Sequence, residues 1–280
     1  MPTEKERGDI GRRRLGGAVY ILPNLITTGN LFFGFFSIVR SLHGQFGWAS
    51  GAIFLAAIFD VLDGRVARLT KGTSEFGVQY DSLCDAVSFG VAPAFLMYQF
   101  GLGQMGRVGW VACFLFMACG ALRLARFNVL SAIGKASGDF TGLPIPMAAI
   151  TVAGFVSLMT ELDTRFASGL PQSIEGLRFL MDQEFRTRFL MILGPILALL
   201  MVSNIIFRSH KALKSTAIKP FRLLVLLVMM ISLVAWEPEV VGFSLVFLYV
   251  LSGPVAWIFG WTKLTDDAEI FDESGDDDEP

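Results

Sequence analysis

The chain has 280 residues, of which 53% are apolar and only 17% are charged, and its mean hydropathy is +0.58. A charged fraction this far below the roughly 25% of soluble domains argues against a disordered, fibrous or ordinary soluble protein. The net charge of −2 conceals an uneven distribution, because nine of the 25 acidic residues lie between Asp266 and Glu279. Without those nine, 23 basic and 16 acidic residues leave the rest of the chain with a net charge of +7.

Eight apolar stretches predict an all-α, polytopic membrane helix bundle, because a bilayer-spanning helix needs about 20 mostly apolar residues. They cover 24–42, 46–62, 82–100, 109–127, 143–160, 189–207, 221–236 and 240–260. Together they occupy more than half of the chain and leave no room for a separate soluble domain.

Four segments follow from this pattern. Residues 1–22 form a basic arm, which is either an interfacial amphipathic helix or a plain topology signal. Residues 23–215 form the main membrane domain, and 216–262 hold two further spans. Residues 263–280 form an acidic tail without helical or strand periodicity, for which we expect a disordered, solvated state.

The positive charges favour one orientation in the membrane. With the N-terminus in the cytoplasm, 17 of the 23 Lys and Arg residues lie on the cytoplasmic side and six on the other. Because basic residues accumulate in cytoplasmic loops, we expect both termini to face the cytoplasm. The basic surface suits anionic lipid head groups and does not call for a nucleic-acid partner.

Two pairs of aspartates concentrate the ionisable groups of the apolar region. Asp60 and Asp63 lie near the end of the second predicted span, and Asp81 and Asp85 lie at the start of the third. Spacings of three and four residues place each pair on one helix face. Since a short loop joins the two antiparallel helices, all four carboxylates can converge.

Four neighbouring carboxylates cannot all ionise without compensating cations. All-oxygen ligands suit hard divalent ions such as Mg²⁺, Mn²⁺ or Ca²⁺, and two such ions can clamp phosphoryl oxygens. The alternative is a pair of helix-end caps with exposed loop acids, which would leave the matched pairing on adjacent helices as coincidence.

The spacing Asp60-x2-Asp63-Gly64-x2-Ala67-Arg68-x8-Gly77-x3-Asp81-x3-Asp85 resembles, at every fixed position, the signature of the CDP-alcohol phosphatidyltransferase family. Members are integral membrane enzymes that displace CMP from a CDP-linked lipid or alcohol with a second alcohol.

The resemblance carries expectations for individual residues. It implies that Asp60, Asp63 and Asp81 hold two divalent ions, Mg²⁺ or Mn²⁺, and that Asp85 is the general base and also touches a metal. It implies a CDP pocket lined by Gly64, Ala67, Arg68 and Gly77, and it implies a homodimer.

Further stretches resemble the bacterial phosphatidylserine synthase subfamily, and they lie at 21–35, 81–94, 122–129, 140–149 and 201–214. The resemblance runs from about residue 20 to 215, and the last two spans match only in general character. It implies that the phosphatidyl group of CDP-diacylglycerol passes to L-serine, giving phosphatidylserine and CMP, in a bacterial cytoplasmic membrane.

Several polar residues suit such a reaction. Asn30 belongs to a polar arc on the first span that we expect to face the bundle interior and the nucleotide lipid, or else to make interhelical hydrogen bonds. Lys211 either reaches lipid phosphates or marks the cytoplasmic face. Arg123, Arg126 and Asn128 are candidates for binding serine, whose carboxylate needs a cation; the two arginines alternatively serve topology alone.

Two alternatives remain open on sequence grounds. Another acceptor, such as glycerol 3-phosphate, inositol phosphate or choline, would use the same motif. A divalent-ion transporter would also place carboxylates in membrane helices, although transporter sites are expected near the middle of the bilayer on broken or repeated helices.

Overall fold

The computed structural model describes residues 4–70, 74–133, 140–168, 182–207, 228–229 and 232–260, with side chains from residue 21 onward apart from that of Phe140. In chain order the helices are α1 (Glu4–Leu42), α2 (Phe46–Thr70), α3 (Glu75–Asp85), α4 (Ala92–Phe100), α5 (Arg107–Ala132), α6 (Ile145–Ala167), α7 (Gln183–Val202) and α8 (Pro238–Ile258). A π-helical turn, Ala86–Val91, joins α3 to α4, and a 3₁₀ turn, Leu102–Met105, precedes α5.

Within the described ranges, seven helices are long and apolar enough to cross a membrane, with Glu75–Phe100 counted as one. The protein is therefore an integral membrane protein built as a helical bundle. Seven of the eight predicted spans correspond to these helices, and most of the eighth, 221–236, lies outside the described residues. The whole 263–280 tail and Lys211 also lie outside them.

Helix α1 differs from the prediction because its backbone is helical from Glu4 through Leu42 without a break at Pro23. The sequence predicts the boundary between the basic arm, 1–22, and the first span at this proline. Proline inside a helix removes one backbone hydrogen bond, and the carbonyl of Pro23 itself accepts a bond from Thr27 Oγ1 at 3.1 Å.

Helix α2 continues two turns beyond the predicted end at residue 62, to Thr70. The added segment contains alanine, leucine and arginine, which favour helices, and its arginines Arg65 and Arg68 are exposed. Asp60 and Asp63 therefore lie two to three turns inside the helix rather than at its end.

Helix α7 ends at Val202, five residues before the predicted limit of 207. Two backbone carbonyl oxygens of its last turn accept hydrogen bonds from other elements. Leu143 N donates to Leu200 O at 2.9 Å, and Arg126 Nη1 donates to Val202 O at 3.3 Å. Beyond it, Ile206–Phe207 pairs antiparallel with Phe140–Thr141. This two-residue ladder is a small addition to an otherwise helical fold.

The core lies where α4, α5, α6 and α7 meet. Its largest fully buried side chains include Phe89, Phe116, Leu96, Ile145 and Leu197. Helix α2 packs against both α1 and α6, and α8 also packs against α6. The aspartate pairs consequently lie at one edge of this core, between α1, α2 and α3.

Helix α6 ends at Ala167 and α7 begins at Gln183. The mixed charges of this region form ion pairs. Arg186 donates to both carboxylate oxygens of Asp163 at 2.5 and 2.6 Å, and Arg165 bonds Glu161 and Glu237. These pairs join α6 to α7 and to the segment just before α8.

Candidate active site

Three of the four motif aspartates form one compact carboxylate group. Asp60 and Asp63 come from α2 and Asp81 from α3, and one oxygen of each lies within 4.8 Å of the others. Their convergence follows from the antiparallel packing of two helices that each carry acids on one face. Asp85, one turn beyond Asp81, is not part of this group.

The donor set fits a hard divalent ion. Asp63 is only 4% exposed, and its Oδ2, like Oδ1 of Asp81, is buried without a hydrogen-bond partner among the described residues. Buried polar atoms are normally paired, because leaving a charge desolvated and unpaired is costly. Two unpaired carboxylate oxygens beside a third carboxylate are the arrangement that an ion such as Mg²⁺ or Mn²⁺ would satisfy.

Asp85 is oriented from the first helix. Asn30, fully buried on α1, donates from Nδ2 to Asp85 Oδ1 at 2.9 Å. The same stretch of α1 is fixed to the π-helical turn, since Ser88 Oγ donates to the backbone oxygen of Asn30 at 3.0 Å. Asp85 itself is 8% exposed, so the hydrogen bond from the Asn30 side chain fixes the orientation of its carboxylate.

Close packing holds α1 against this turn. A Cβ at Gly34 would lie 2.3 Å from Ser88 Oγ and 2.7 Å from Ser88 Cα. The π-helical turn inserts an extra residue into the helix, and it begins directly after Asp85. Asp85 is thus placed by a backbone irregularity and by an interhelical contact that only glycine allows.

A cavity of about 220 Å³ opens beside the carboxylate group. The four residues expected to line a CDP pocket all border it, and so do Asp63 and Asp81. Among the described residues the lining is Pro23, Asn24, Thr27, Asp63, Gly64, Ala67, Arg68, Ser74, Gly77, Val78 and Asp81. Asn30, which we grouped with these residues, lies outside that lining and contacts Asp85 instead.

Ser74 is a lining residue that sequence reasoning missed. It is the N-cap of α3, with Oγ accepting from Gly77 N at 3.0 Å. The cap satisfies a backbone N–H group at the start of α3, and Gly77 and Val78 of this first turn border the cavity together with Ser74. A serine directly before the helix that carries Asp81 was the available signal.

Arg123, the first of the candidate serine-binding residues, lies beside the aspartates. It is 8% exposed, and its charge interacts with those of Asp85 and Asp60. Its guanidinium carbon lies 5.5 Å from the centre of the Phe127 ring.

The other two candidates engage protein groups. Arg126 donates from Nη2 to Asn204 Oδ1 at 2.8 Å as well as to Val202 O, which ties α5 to the end of α7. Asn128 donates from Nδ2 to Ser82 Oγ at 2.9 Å, which ties α5 to α3 next to Asp81.

Fold and site together define a helical integral membrane protein with a partly buried carboxylate group between two adjacent helices. Comparison with known proteins makes this class specific, since the family model of CDP-alcohol phosphatidyltransferases matches residues 20–180. The chain belongs to the CDP-alcohol phosphatidyltransferase family, and is a membrane transferase. Asp60 through Asp85, and thus the whole carboxylate group, lie within the matched segment.

Named relatives extend the likeness over most of the chain. A CDP-diacylglycerol–serine O-phosphatidyltransferase of Helicobacter pylori is 36% identical over 88% of this chain and 94% of its own length. An archaetidylserine synthase of Methanothermobacter thermautotrophicus is 42% identical over 52% of this chain and 62% of its own length. A solved Mycobacterium tuberculosis phosphatidylinositol phosphate synthase with CDP-DAG bound matches with 18% identity and a TM-score of 0.45, over 66% of this chain and 80% of that one, a likeness too distant to carry a functional argument.

Proposed function

We propose that the protein transfers the phosphatidyl group of CDP-diacylglycerol to the hydroxyl of L-serine, which gives phosphatidylserine and CMP. The observation that carries the proposal is the carboxylate group with its two unpaired buried oxygens, opening on a cavity lined by Gly64, Ala67, Arg68 and Gly77. The serine acceptor is supported by the Helicobacter pylori relative that is named for that reaction, because the match covers 94% of the length of that relative.

Asp60, Asp63 and Asp81 are the residues that would hold the divalent ions, two Mg²⁺ or Mn²⁺. When bound, the ions neutralise the diphosphate of the substrate and the charge of the departing CMP. The small side chains at Gly64, Ala67 and Gly77 leave room for the nucleotide. Among the described residues, a Cβ at Gly64 would meet no atom within 4 Å other than those of its chain neighbours and its own helix backbone. Arg68, at the cavity rim, supplies a planar donor pair for a phosphate.

Asp85 is assigned as the general base. Asn30 binds its Oδ1, which leaves Oδ2 to take the proton from the serine hydroxyl, a weak nucleophile while protonated. The serine oxygen then bonds to the phosphorus that carries diacylglycerol, the bond from that phosphorus to the CMP oxygen breaks, and CMP departs with the bonding electrons. The acyl chains stay in the lipid between helices throughout.

Arg123 is the residue to which we assign the serine carboxylate. The residue is buried and interacts electrostatically with Asp85 and Asp60, which supports an acceptor held there with its hydroxyl near the base. Asn128, tied to Ser82 next to Asp81, borders the same region. We place the aspartates towards the cytoplasm of a bacterial cell, as supported by the count of 17 basic residues against six, and we expect a homodimer on family resemblance alone.

The decisive experiment measures CMP release by the purified protein in mixed micelles of CDP-diacylglycerol. Serine, glycerol 3-phosphate, inositol phosphate and choline are supplied in turn, with Mn²⁺, with Mg²⁺ or with a chelator. Serine-dependent release that the chelator abolishes is the expected result. Release with another alcohol alone would overturn the acceptor, and metal flux in liposomes without any CMP release would favour a transporter.

Asp85→Asn tests the base within the same assay. The substitution keeps the shape of the side chain and removes its capacity to take a proton, so transfer should fall by at least about a thousandfold while CDP-diacylglycerol binding stays within a few-fold. Turnover near that of the wild type would remove Asp85 from the role of base.

A further inference from the structure

Asn30 of α1 uses only one end of its side-chain amide within the described part of the chain. Its Nδ2 donates to Asp85 Oδ1 at 2.9 Å, whereas its Oδ1 is buried and has no hydrogen-bond partner among the described residues. Asn30 is fully buried, and an unpaired amide oxygen in such a position is costly. The free acceptor beside Asp85 therefore calls for a donor that a ligand can bring.

The surroundings of Asn30 fix the direction of this amide. An ionised carboxylate only accepts hydrogen bonds, so Asn30 has to present its NH₂ group to Asp85 and turn Oδ1 away from it. The backbone is held as well, because Ser88 Oγ donates to the main-chain oxygen of Asn30 at 3.0 Å. One residue earlier, a Cβ at Gly29 would lie 2.4 Å from the Phe59 ring, so α1 also approaches α2 closely here. The unpaired oxygen is therefore held at a defined place next to the base.

The distance from the base selects the kind of donor. The nitrogen and oxygen of an amide are about 2.3 Å apart, so the 2.9 Å bond puts Asn30 Oδ1 at most about 5 Å from Asp85 Oδ1. A hydroxyl at Asp85 and an ammonium on the adjacent carbon, roughly 3–4 Å apart across one staggered bond, can reach both groups together. Serine carries this pair of groups. The nitrogen of choline has no N–H, and glycerol 3-phosphate and inositol phosphate have no ammonium.

An ammonium suits the Asn30 oxygen better than a divalent ion does. Asp85, to which Asn30 is bonded, lies outside the compact group that Asp60, Asp63 and Asp81 form. Within that group, Asp63 and Asp81 already offer unpaired oxygens of their own. A bond from an ammonium to a neutral amide oxygen is charge-assisted, and the neighbouring Asp85 carboxylate favours the same positive charge.

We propose that Asn30 is an acceptor-specificity residue, whose Oδ1 accepts a hydrogen bond from the ammonium of an amino-alcohol acceptor while its Nδ2 orients Asp85. The proposal rests on the proposed serine transfer and assigns the remaining group of serine, beside the hydroxyl at Asp85 and the carboxylate at Arg123. The acceptor approaches past Asp85, which keeps 8% of its surface exposed. One amide thus joins recognition of the amino group to the orientation of the base.

Asn30→Leu tests the proposal, because leucine has a similar size and neither donates nor accepts a hydrogen bond. With full-length protein in CDP-diacylglycerol micelles, kcat/KM is compared between serine and 3-hydroxypropanoate, which is serine without its amino group. Both acceptors depend on Asp85, so the loss of the Nδ2 bond lowers both rates and cancels in their ratio. The preference for serine should fall about tenfold, as expected for a lost hydrogen bond to a charged group.

Ser37→Ala is the matched control, since it removes another fully buried oxygen of α1 that has no partner among the described residues, and it should leave the preference unchanged. Asn30→Asp retains an oxygen acceptor, and because two adjacent carboxyl groups share a proton it can still donate to Asp85. This variant should keep the preference for serine within threefold of the wild type or raise it. If Asn30→Leu does not fold, Asn30→Ala takes its place, with the same fall in preference expected.

Three results would overturn the proposal. The first is a preference for serine that the apolar variant leaves within twofold of the wild type. The second is a raised Mn²⁺ requirement with unchanged preference, which would make Asn30 an ion ligand. The third needs no variant, and it is equal use of serine and 3-hydroxypropanoate by the wild-type protein.

The same data separate this proposal from the proposed function. A wild-type protein that releases CMP with another alcohol but not with serine refutes serine transfer itself. A wild-type protein that uses serine, paired with an Asn30→Leu variant of unchanged preference, refutes only the role of the Asn30 oxygen.

Discussion

Replacement of Asn30 by alanine removes the one amide that the described structure places on the Asp85 carboxylate. The donor lies 2.9 Å from Asp85 Oδ1, and both side chains are buried, Asn30 fully and Asp85 to 8% exposure. Alanine leaves Asp85 free to rotate within the site and deprives its charged form of a donor. The backbone oxygen of residue 30 still accepts from Ser88, so the helix contact itself is retained.

The expected magnitude follows from the kind of bond that is lost. A hydrogen bond to a charged group contributes about 1.5–3 kcal/mol, and each 1.4 kcal/mol is a factor of about ten in rate. If the amide positions the base in the transition state, kcat for serine-dependent CMP release should fall roughly 10- to 100-fold. The KM for CDP-diacylglycerol should change little, because Asn30 does not line the cavity beside the aspartates.

Ser37→Ala provides the matched control on the same helix. Ser37 is also fully buried, and its hydroxyl is without a hydrogen-bond partner, so its removal should be neutral or slightly stabilising and should leave kcat unchanged. Steady-state CMP release and thermal unfolding in detergent are measured for both variants. An Asn30→Ala enzyme with kcat within threefold of the wild type would refute the positioning role, and equal losses in both variants would point to general damage of α1.

Two further substitutions test the packing around the site. Gly34→Ala forces a Cβ onto the backbone of Ser88 and should cost about 1–3 kcal/mol of stability together with activity. Gly51→Ala is the control, because a Cβ there meets nothing within 4 Å among the described residues, and it should leave the unfolding temperature unchanged or raise it. Equal effects of the two substitutions would contradict the close approach of α1 to Ser88. Arg126→Gln removes the hydrogen bonds to Val202 and Asn204. It should lower the unfolding temperature by several degrees with little change in the KM for serine. A raised KM for serine at unchanged stability would instead favour the role in serine binding that the sequence suggests.

The bundle and its carboxylates could be predicted because both rest on local periodicity. Apolar stretches of bilayer length mark the helices, and spacings of three and four residues put Asp60 with Asp63 and Asp81 with Asp85 on shared faces. The short connection between the two helices then brings the pairs together. Each step needs only residues that are near one another in the chain.

Contacts between distant segments could not be predicted in this way. Nothing in the sequence around Asn30 identifies Asp85, 55 positions later, as the group its amide binds. Arg126 shows the same limit, because a basic residue at a helix end fits an acceptor, a topology signal or a carbonyl of another helix equally well. Local patterns also set helix ends too short, as at α2, where the polar motif continues in helical form to Thr70.

The π-helical turn at Ala86–Val91 divides one membrane-crossing segment into two helical halves. It rotates the side chains of one half about the helix axis relative to those of the other half, compared with an uninterrupted α-helix. An α-helix advances about 100° per residue, so a single-residue deletion in this turn would swing Asp81 and Asp85 by that angle relative to the buried side chains Phe89 and Leu96. The length of the turn therefore determines the rotation of one half relative to the other, and insertions or deletions during evolution can change that rotation. The half that carries the aspartates can be realigned towards its ligands while the half embedded in the core keeps its packing.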